Sequence, residues 1–378
     1  MKLRLHLSLQ RTHRFQIRAR LIWGCFQMAE ITFAAAINEA LHLAMDIDDS
    51  VICYGLGATD PKAIFGTTAG LADRFGLNRV FDTPTSENAM TGIGVGAAIG
   101  GSRPVMVHQR LDFFLLAMDQ LVNSAAKWHY MFGGQNSVPI TIRLIIGRGW
   151  GQGPTHSQNL HAWFAHIPGL KVVMPTTPSD AKGLLLSSIF DPNPVVFLEH
   201  RWLHQALGEV APGDVRVPIG KARIAREGLD LTIVSASYLT VEALQAAKAL
   251  ADEDIDCEIV DLRTLSPIDW NLIYKSVEKT KRILVLDSGA QTGSIAGEII
   301  AKVAMTQHGS LQAAPRRLAM PDVPEPTSFG LTAGFYVRAT NIYSEVMSAF
   351  GKIPKSGANP LVEPVPHDVP GSWFKGPF

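Results

Sequence analysis

From residue 28 onward the chain alternates short β-branched runs with helix-length segments, and it does so in two rounds. In the first round the strand candidates are VICYG (51–55), RVFD (79–82), PVMVHQ (104–109), PITIRLII (139–146), LKVVMP (170–175) and PVVFLE (194–199). Helical segments fall near 32–46, 87–100, 113–131, 158–165 and 178–190. Runs that are apolar throughout have no face to give to water. Separated by helices, they specify a parallel sheet covered on both sides. A polar stretch at 200–228 interrupts the pattern. The second round then reads LTIVSAS (231–237), CEIVDL (257–262), RILVLD (282–287) and RRLAM (316–320), with helices at 239–252, 268–279, 293–306 and 336–350. The expected fold class is α/β with two open parallel-sheet domains, residues 28–205 and 206–350. A basic leader (1–27) precedes them, and a Pro-rich tail (351–378) follows, extended and able to lie on a neighbouring subunit.

A chain of 378 residues is long enough for two such units. Its 34 Lys plus Arg balance 34 Asp plus Glu, so no overall field calls for nucleic acid or an anionic membrane. No stretch reaches the roughly 18 apolar residues of a membrane span. Cys25, Cys53 and Cys257 show no pairing pattern, which fits reduced thiols in the cytoplasm. The leader carries one Lys and five Arg and no acid. It reads either as a transit peptide for a mitochondrial or plastid matrix or as an over-extended start with Met28 as the true first residue.

Gly92-Ile-Gly94-Val-Gly96-Ala97 matches a relaxed dinucleotide-binding fingerprint, which needs its glycines in a strand-to-helix turn. Here the helical signal starts earlier, with Pro84, Thr85 and Ser86 leading in and Glu87 in the first turn. The glycines therefore read as small faces of a helix packed closely on another helix. Each costs about 1 kcal/mol relative to Ala there. Glu87 stands among small and apolar residues. A first-turn acid is favoured by the helix dipole. Apolar walls also favour a carboxyl that keeps its proton and shares it with a nitrogen base. The residues alone leave both readings open.

Phe113 and Phe114 follow Asp112, a candidate cap, at a strand-to-helix junction, where aromatics serve as core or as a cofactor platform. GRGWGQGPTHSQ (147–158) opens with four glycines in seven residues and brings His156 to the carboxyl end of a strand, where α/β sites lie. His156, His161 and His166 step by five rather than four, which argues against a zinc pair on one helix face. His161 and His166 read as structural.

Longer strings carry a resemblance. RVFDTPTSENAMTGIGVGAAIGG, AMDQLVNSAAKWHYMFGGQ, THSQNLHAWFAHIPGLKVVMPTTPSDAKGLL and DPNPVVFLEH resemble the β subunits of thiamine-diphosphate-dependent 2-oxo-acid dehydrogenases, the pyruvate, branched-chain and acetoin first components, relatives of transketolase. VPIGKARIAREGLDLTIVSAS and IVDLRTLSPIDW are similar to that family's C-terminal domain. The resemblance implies a transketolase-like pyrimidine-binding domain followed by a transketolase C-terminal-like domain. It implies that Glu87 hydrogen-bonds N1′ of the cofactor's aminopyrimidine, that Gln109 and Phe113 line the cofactor, and that His156 faces the reacting centre and assists acyl transfer to a lipoyl arm. A structural potassium ion would be held by the main-chain carbonyls of Ile140, Ser188, Ile189, Asp191 and Asn193.

In such enzymes a GDG segment holds the diphosphate and Mg2+, and this chain has no GDG. The resemblance therefore implies half a site, completed by an α subunit in a tetramer of two α and two β chains, with a lipoyl acyltransferase as one acceptor. The chain also departs from the family. Leu56 and Gly57 stand where acids are expected, and His108, Gln109 and Arg110 replace apolar residues. Those polar and cationic groups suit a more polar or anionic substrate than pyruvate. The alternatives are a two-chain transketolase-like or carboligating enzyme, a non-catalytic α/β partner, and, further off, a nicotinamide dehydrogenase.

Overall fold

The structure is a computed structural model describing residues 28–60, 63–147, 151–361 and 367–369. The basic leader lies outside the described residues, as does much of the Pro-rich tail. In chain order the strands are β1 (Ala29–Thr32), β2 (Val51–Gly55), β3 (Val80–Asp82), β4 (Arg103–His108), β5 (Thr141–Ile146), β6 (Lys171–Val173), β7 (Val195–His200) and β8 (Leu207–Val210). They continue with β9 (Arg223–Arg226), β10 (Leu231–Ser235), β11 (Cys257–Asp261), β12 (Thr264–Ser266), β13 (Ile283–Ala290) and β14 (Arg316–Met320).

Two parallel-dominated sheets carry the fold, in the orders β12-β6-β7-β5-β4-β2-β3 and β14-β13-β10-β11-β9. The apolar runs became their central strands: every residue of β5, β7, β10 and β11 is buried. The strands that the apolar pattern did not announce are antiparallel and peripheral. β9 runs against β11, β12 runs against β6, and β1 with β8 forms a separate two-stranded ribbon. Their sequences, RIAR, TLS, AEIT and LGEV, are short and mix polar with apolar residues, as suits strands on an edge.

β12 ties the two halves together, because it follows β11 of the second sheet in sequence yet hydrogen-bonds into the first. Side chains add to the tie. His161 meets Asp287 at 2.8 Å with both buried, and Asp180 receives Arg223 at 3.3 Å and Arg263 at 3.1 Å. The tail residues that are described lie on their own chain: Lys352 Nζ donates to the Glu253 carbonyl at 2.8 Å and Arg338 to that of His367 at 3.2 Å. Cys53 and Cys257 are free and buried, and burial first of all pushes each thiol up to about 12.

The expected helix at 87–100 forms as Glu87–Ile99, with Ser86 at the N-cap position but no side-chain cap bond. Its glycines lie inside the helix, so the turn required by a dinucleotide fingerprint is not made. Their packing meets the helix-on-helix expectation only in part: a Cβ on Gly92 would lie 3.5 Å from Gln120 Oε1 of the helical segment Gln120–Ala125. A Cβ on Gly94 would come within 2.0 Å of Tyr54 Oη, on β2, and 2.8 Å of Ile140 Cδ1, just ahead of β5, whereas Gly96 faces open space. The tightest approach is therefore toward the sheet, at Gly94. Tyr54 Oη uses that proximity to donate to the Met90 carbonyl at 2.9 Å.

Candidate active site

In the first sheet the chain lays down β2, then β3 on one side of it, then β4 on the other. That reversal opens a crevice at the carboxyl ends of β2 and β4, the place where open α/β sheets bind ligands. Gly55 ends β2 with φ +149, and a Cβ there would meet the Val107 carbonyl oxygen at 2.0 Å. Only glycine lets the two strand ends come this close. Glu87, His108 and Gln109 stand around this crevice.

Helix and strand spacing bring Glu87 to His108. On β4, Met106 and His108 share a face, and on the helix Glu87 and Thr91 are one turn apart. Two strand residues advance about 6.6 Å and four helical residues about 6 Å. The helix runs back along the strand, so Thr91 Oγ1 meets Met106 Sδ at 3.5 Å while Glu87 Oε1 meets His108 Nε2 at 3.8 Å. The Glu87 side chain is 11% exposed and that of His108 is fully buried. Burial pushes the His108 imidazole below its ordinary value, outweighing the Arg110 carbonyl and Glu87, which both pull it up.

A second group of contacts fixes the loop carrying His156. Asp112, expected as a cap, lies instead in the first turn of the helix Leu111–Phe114, where Arg110 holds the cap position. Its Oδ1 accepts from Gln158 Nε2 at 2.9 Å and from Gln158 N at 3.3 Å. Next to this clamp the Phe113 ring stands edge-on to His156, centroids 5.1 Å apart. Thr155 Oγ1 lies 3.0 Å from His156 Nδ1. The structure thus brings Phe113 and His156 together and leaves Phe113 41% exposed. Gln109, at the end of β4, is exposed. The helix expected at 158–165 is shorter, His161–Ala165. His161 is engaged with Asp287, and His166 is exposed.

Two buried arginines were not anticipated as a pair. Arg110 donates to the Gly147 carbonyl at 3.3 Å and to Gln152, and Arg201, just past β7, donates to the same Gln152 Oε1 at 3.3 Å. Burial, then the charge of Arg110, lowers Arg201 to about 10. Arg110 was legible as a departure from family pattern. Arg201 carried one signal, a cation directly after an apolar strand, but nothing in the sequence says that residues 110, 152 and 201 converge.

Among the described residues no group of three or more His, Cys, Asp or Glu side chains is placed to hold a metal ion, and no helix is long and apolar enough to cross a membrane. Of the five carbonyls expected around potassium, those of Ile189 and Asp191 accept from Arg103 Nη1 at 3.2 and 3.3 Å, and that of Ile140 accepts from Val195 N at 3.0 Å. The Ser188 hydroxyl is turned to the Leu184 carbonyl, and Asn193 N bonds the Asp191 carboxylate. A cavity of about 500 Å³ lies away from the crevice, between Asn159, Trp163 and His166 on one side and Asp287, Gly289 and Thr292 on the other. It is not lined by Glu87, His108 or Phe113. The residues expected from the sequence fall in two pairs near the end of β4, Glu87 with His108 and Phe113 with His156.

The transketolase pyrimidine-binding domain model matches residues 29–205 of this chain, and the transketolase C-terminal domain model matches residues 220–342. The chain is 43% identical over 309 residues to the acetoin:2,6-dichlorophenolindophenol oxidoreductase subunit beta of Cupriavidus necator, covering 79% of this chain and 91% of that one. It is 42% identical over 306 residues to the mitochondrial pyruvate dehydrogenase E1 component subunit beta-1 of Oryza sativa subsp. japonica (80% and 82% covered). It is 40% identical over 298 residues to the 2-oxoisovalerate dehydrogenase subunit beta of Bacillus subtilis (79% and 91% covered). Among solved structures, a split gene transketolase described as an inactive beta4 tetramer matches with a TM-score of 0.69 at 20% identity, covering 85% of this chain and 99% of that one, a likeness of fold.

Proposed function

Since this chain belongs to the family of thiamine-diphosphate-dependent 2-oxo-acid dehydrogenase β subunits, we propose that it forms the pyrimidine-binding half of an active site completed by an α subunit. The observation that carries the reading is the placement of Glu87 at the switch-point crevice, a nearly buried carboxyl whose facing partner is one neutral imidazole. A carboxyl in that setting can hold a proton and present it to a ring nitrogen. Phe113, with much of its ring exposed, would wall the pyrimidine, and Gln109 would border it. These residues fit the heterocyclic end of the cofactor. Thiamine diphosphate, when bound, supplies the electron sink that decarboxylation of a 2-oxo acid requires.

The protein's own steps are then few. Glu87 would hydrogen-bond the cofactor's pyrimidine nitrogen and exchange a proton with it there. The Asp112–Gln158 clamp holds the loop so that His156 stays against Phe113, from which position its imidazole would exchange a proton with the transferred acyl or aldehyde unit. The acceptor is a lipoyl group on an acyltransferase or a carbonyl compound. The diphosphate and Mg2+ would be held by the α subunit, in a tetramer of two α and two β chains. Exposed apolar residues beside the crevice, Ile93, Phe113 and Leu116, support a second chain closing over it. Potassium at the carbonyls of Ile140, Ser188, Ile189, Asp191 and Asn193 would sit beside the Arg103 guanidinium, and we assign it no step in the reaction.

Arg110 and Arg201, converging on Gln152, favour a 2-oxo acid that carries a further polar or anionic group. One experiment covers both parts of the proposal. The chain alone should bind thiamine diphosphate with Mg2+ negligibly and turn over no 2-oxo acid. Combined with its α subunit, it should bind the cofactor and decarboxylate a dicarboxylic 2-oxo acid with a higher kcat/KM than pyruvate. Tight Mg2+-dependent binding by the lone chain would overturn the half-site reading. A preference for pyruvate would overturn the substrate reading alone.

A further inference from the structure

The second sheet repeats the construction of the first. The chain lays down β10, then β11 on one side of it, then β13 on the other, all parallel. Ligands of open α/β sheets sit at such a reversal, beyond the carboxyl ends of the strands. The cavity of about 500 Å³ lies at the carboxyl end of β13. One of its walls is formed by Asp287 and Gly289 of that strand and by Ser294, which leads into the helix Ile295–Thr306. The first domain supplies the opposite wall, including Asn159 and Trp163. The walls meet at Gly289, where an added Cβ would lie 3.0 Å from the Asn159 carbonyl oxygen. None of these residues takes part in the chemistry assigned to Glu87 and His156.

Two polar points on the walls are left for a ligand. Asn159 is 9% exposed and lines the cavity, and its Oδ1 is buried with no hydrogen-bond partner among the described residues. An unpaired buried oxygen costs stability; a ligand N–H or O–H would supply the missing donor. The other point is the helix end. Ser294 holds the N-cap position there, its side chain accepting from Gly297 N at 3.3 Å. A helix N-terminus is electropositive and takes an anionic group. The carboxylate already in the wall, Asp287, is compensated within the protein, by His161 at 2.8 Å, Gly289 N at 2.8 Å and Ala296 N at 3.2 Å. An apolar surface borders these points, including Met118 and the exposed Trp163 ring. We propose that this cavity is a second ligand site, for a small organic acid with a flat apolar body and a hydrogen-bond donor. The acid sits at the N-terminus of the helix Ile295–Thr306, the donor at Asn159 Oδ1 and the flat body on Trp163.

Two probes separate the features of that ligand. 5-Fluoroindole-3-acetate carries the acid, the N–H donor and the flat body, and 5-fluoroindole lacks the acid. Fluorine NMR line widths follow the binding of each to the αβ assembly. The acid is expected to bind about tenfold more tightly than 5-fluoroindole, the scale of an anion held at a helix N-terminus. Ser294→Asp keeps a capping oxygen for Gly297 N and sets a fixed negative charge where the ligand's acid would lie. It should weaken the acid about tenfold and 5-fluoroindole little. Asn159→Leu removes the unpaired oxygen. It should weaken both probes about fivefold and leave the melting temperature unchanged or raised. Glu87→Gln and saturating thiamine diphosphate should leave binding of the acid as it is, so the result does not depend on the reading of Glu87. Absence of binding, equal affinities for the two probes, or native binding in both cavity variants would overturn the inference. So would displacement by thiamine diphosphate, which would place the probe in the crevice, or binding by the lone chain that is lost in the assembly, which would place the α subunit in the cavity.

Discussion

Glu87→Gln in the assembled two-chain enzyme is expected to lower kcat by between about 10²- and 10⁴-fold, the span associated with losing a positioned acid or base. Gln keeps the shape and the hydrogen-bonding reach of the side chain and removes only the ability to give up a proton. Among the described residues the carboxyl makes one close contact with a charged or titratable group, at 3.8 Å to His108, and the backbone duties of Glu87, such as accepting from Thr91 Oγ1 at 2.9 Å, are untouched. Stability should therefore change by no more than about 0.5–1 kcal/mol, the scale of a first-turn charge at a helix N-terminus. The expected pattern is a large loss of turnover with an unchanged melting temperature and normal assembly with the α subunit. Near-native turnover would leave Glu87 with a structural role only.

The largest stability effect is expected at Glu199. It lies on β7 with its carboxylate bonded by Arg143 of β5 at 2.6 and 3.0 Å and by His204 at 3.2 Å, with all three side chains at most 2% exposed. Burial pushes this carboxyl up, but Arg143 and His204 together outweigh it and hold it below the ordinary carboxylate value. Glu199→Gln leaves the Arg143 guanidinium without its counter-charge inside the sheet. Removing one partner of such a pair costs about 3–5 kcal/mol, which for a chain of this length corresponds to a drop in melting temperature of about 5 °C. Replacing both partners by apolar residues, as in R143M/E199L, should recover most of that loss, since no orphan charge remains.

The pH dependence follows from the direction of the shift. A carboxyl held low in the folded state contributes stability that is fully present above its unfolded value, about 4.3, and is lost as pH falls through the folded value. The gap in melting temperature between native and E199Q should therefore be widest near neutrality and close below about pH 4. Thermal unfolding across that range measures it. A gap independent of pH would mean that the ion pair is not its source.

The parts of this architecture that are written as continuous apolar runs are legible in the amino-acid sequence itself. VICYG forms β2 residue for residue. What the local pattern does not announce is held by pairing between distant segments. β12 is three residues, TLS, and exists because the edge of β6 is there to receive it. The same division runs through the site. Glu87, Gln109, Phe113 and His156 can be named as candidates because a motif marks each of them at one place in the chain. The approach of His108 to Glu87 depends on the register of a helix against a strand, and the convergence of Arg110 and Arg201 on Gln152 depends on how β4 and β7 are ordered in the sheet. Gly94 misleads for the same reason: its sequence says that something packs close, not that the something is Tyr54.

The most direct test is a crystal structure of the αβ assembly with thiamine diphosphate bound. The account predicts the Glu87 carboxyl within hydrogen-bonding distance of a pyrimidine nitrogen, with the diphosphate held by the other chain. A carboxyl facing solvent, or a pyrimidine seated against different residues, would contradict it.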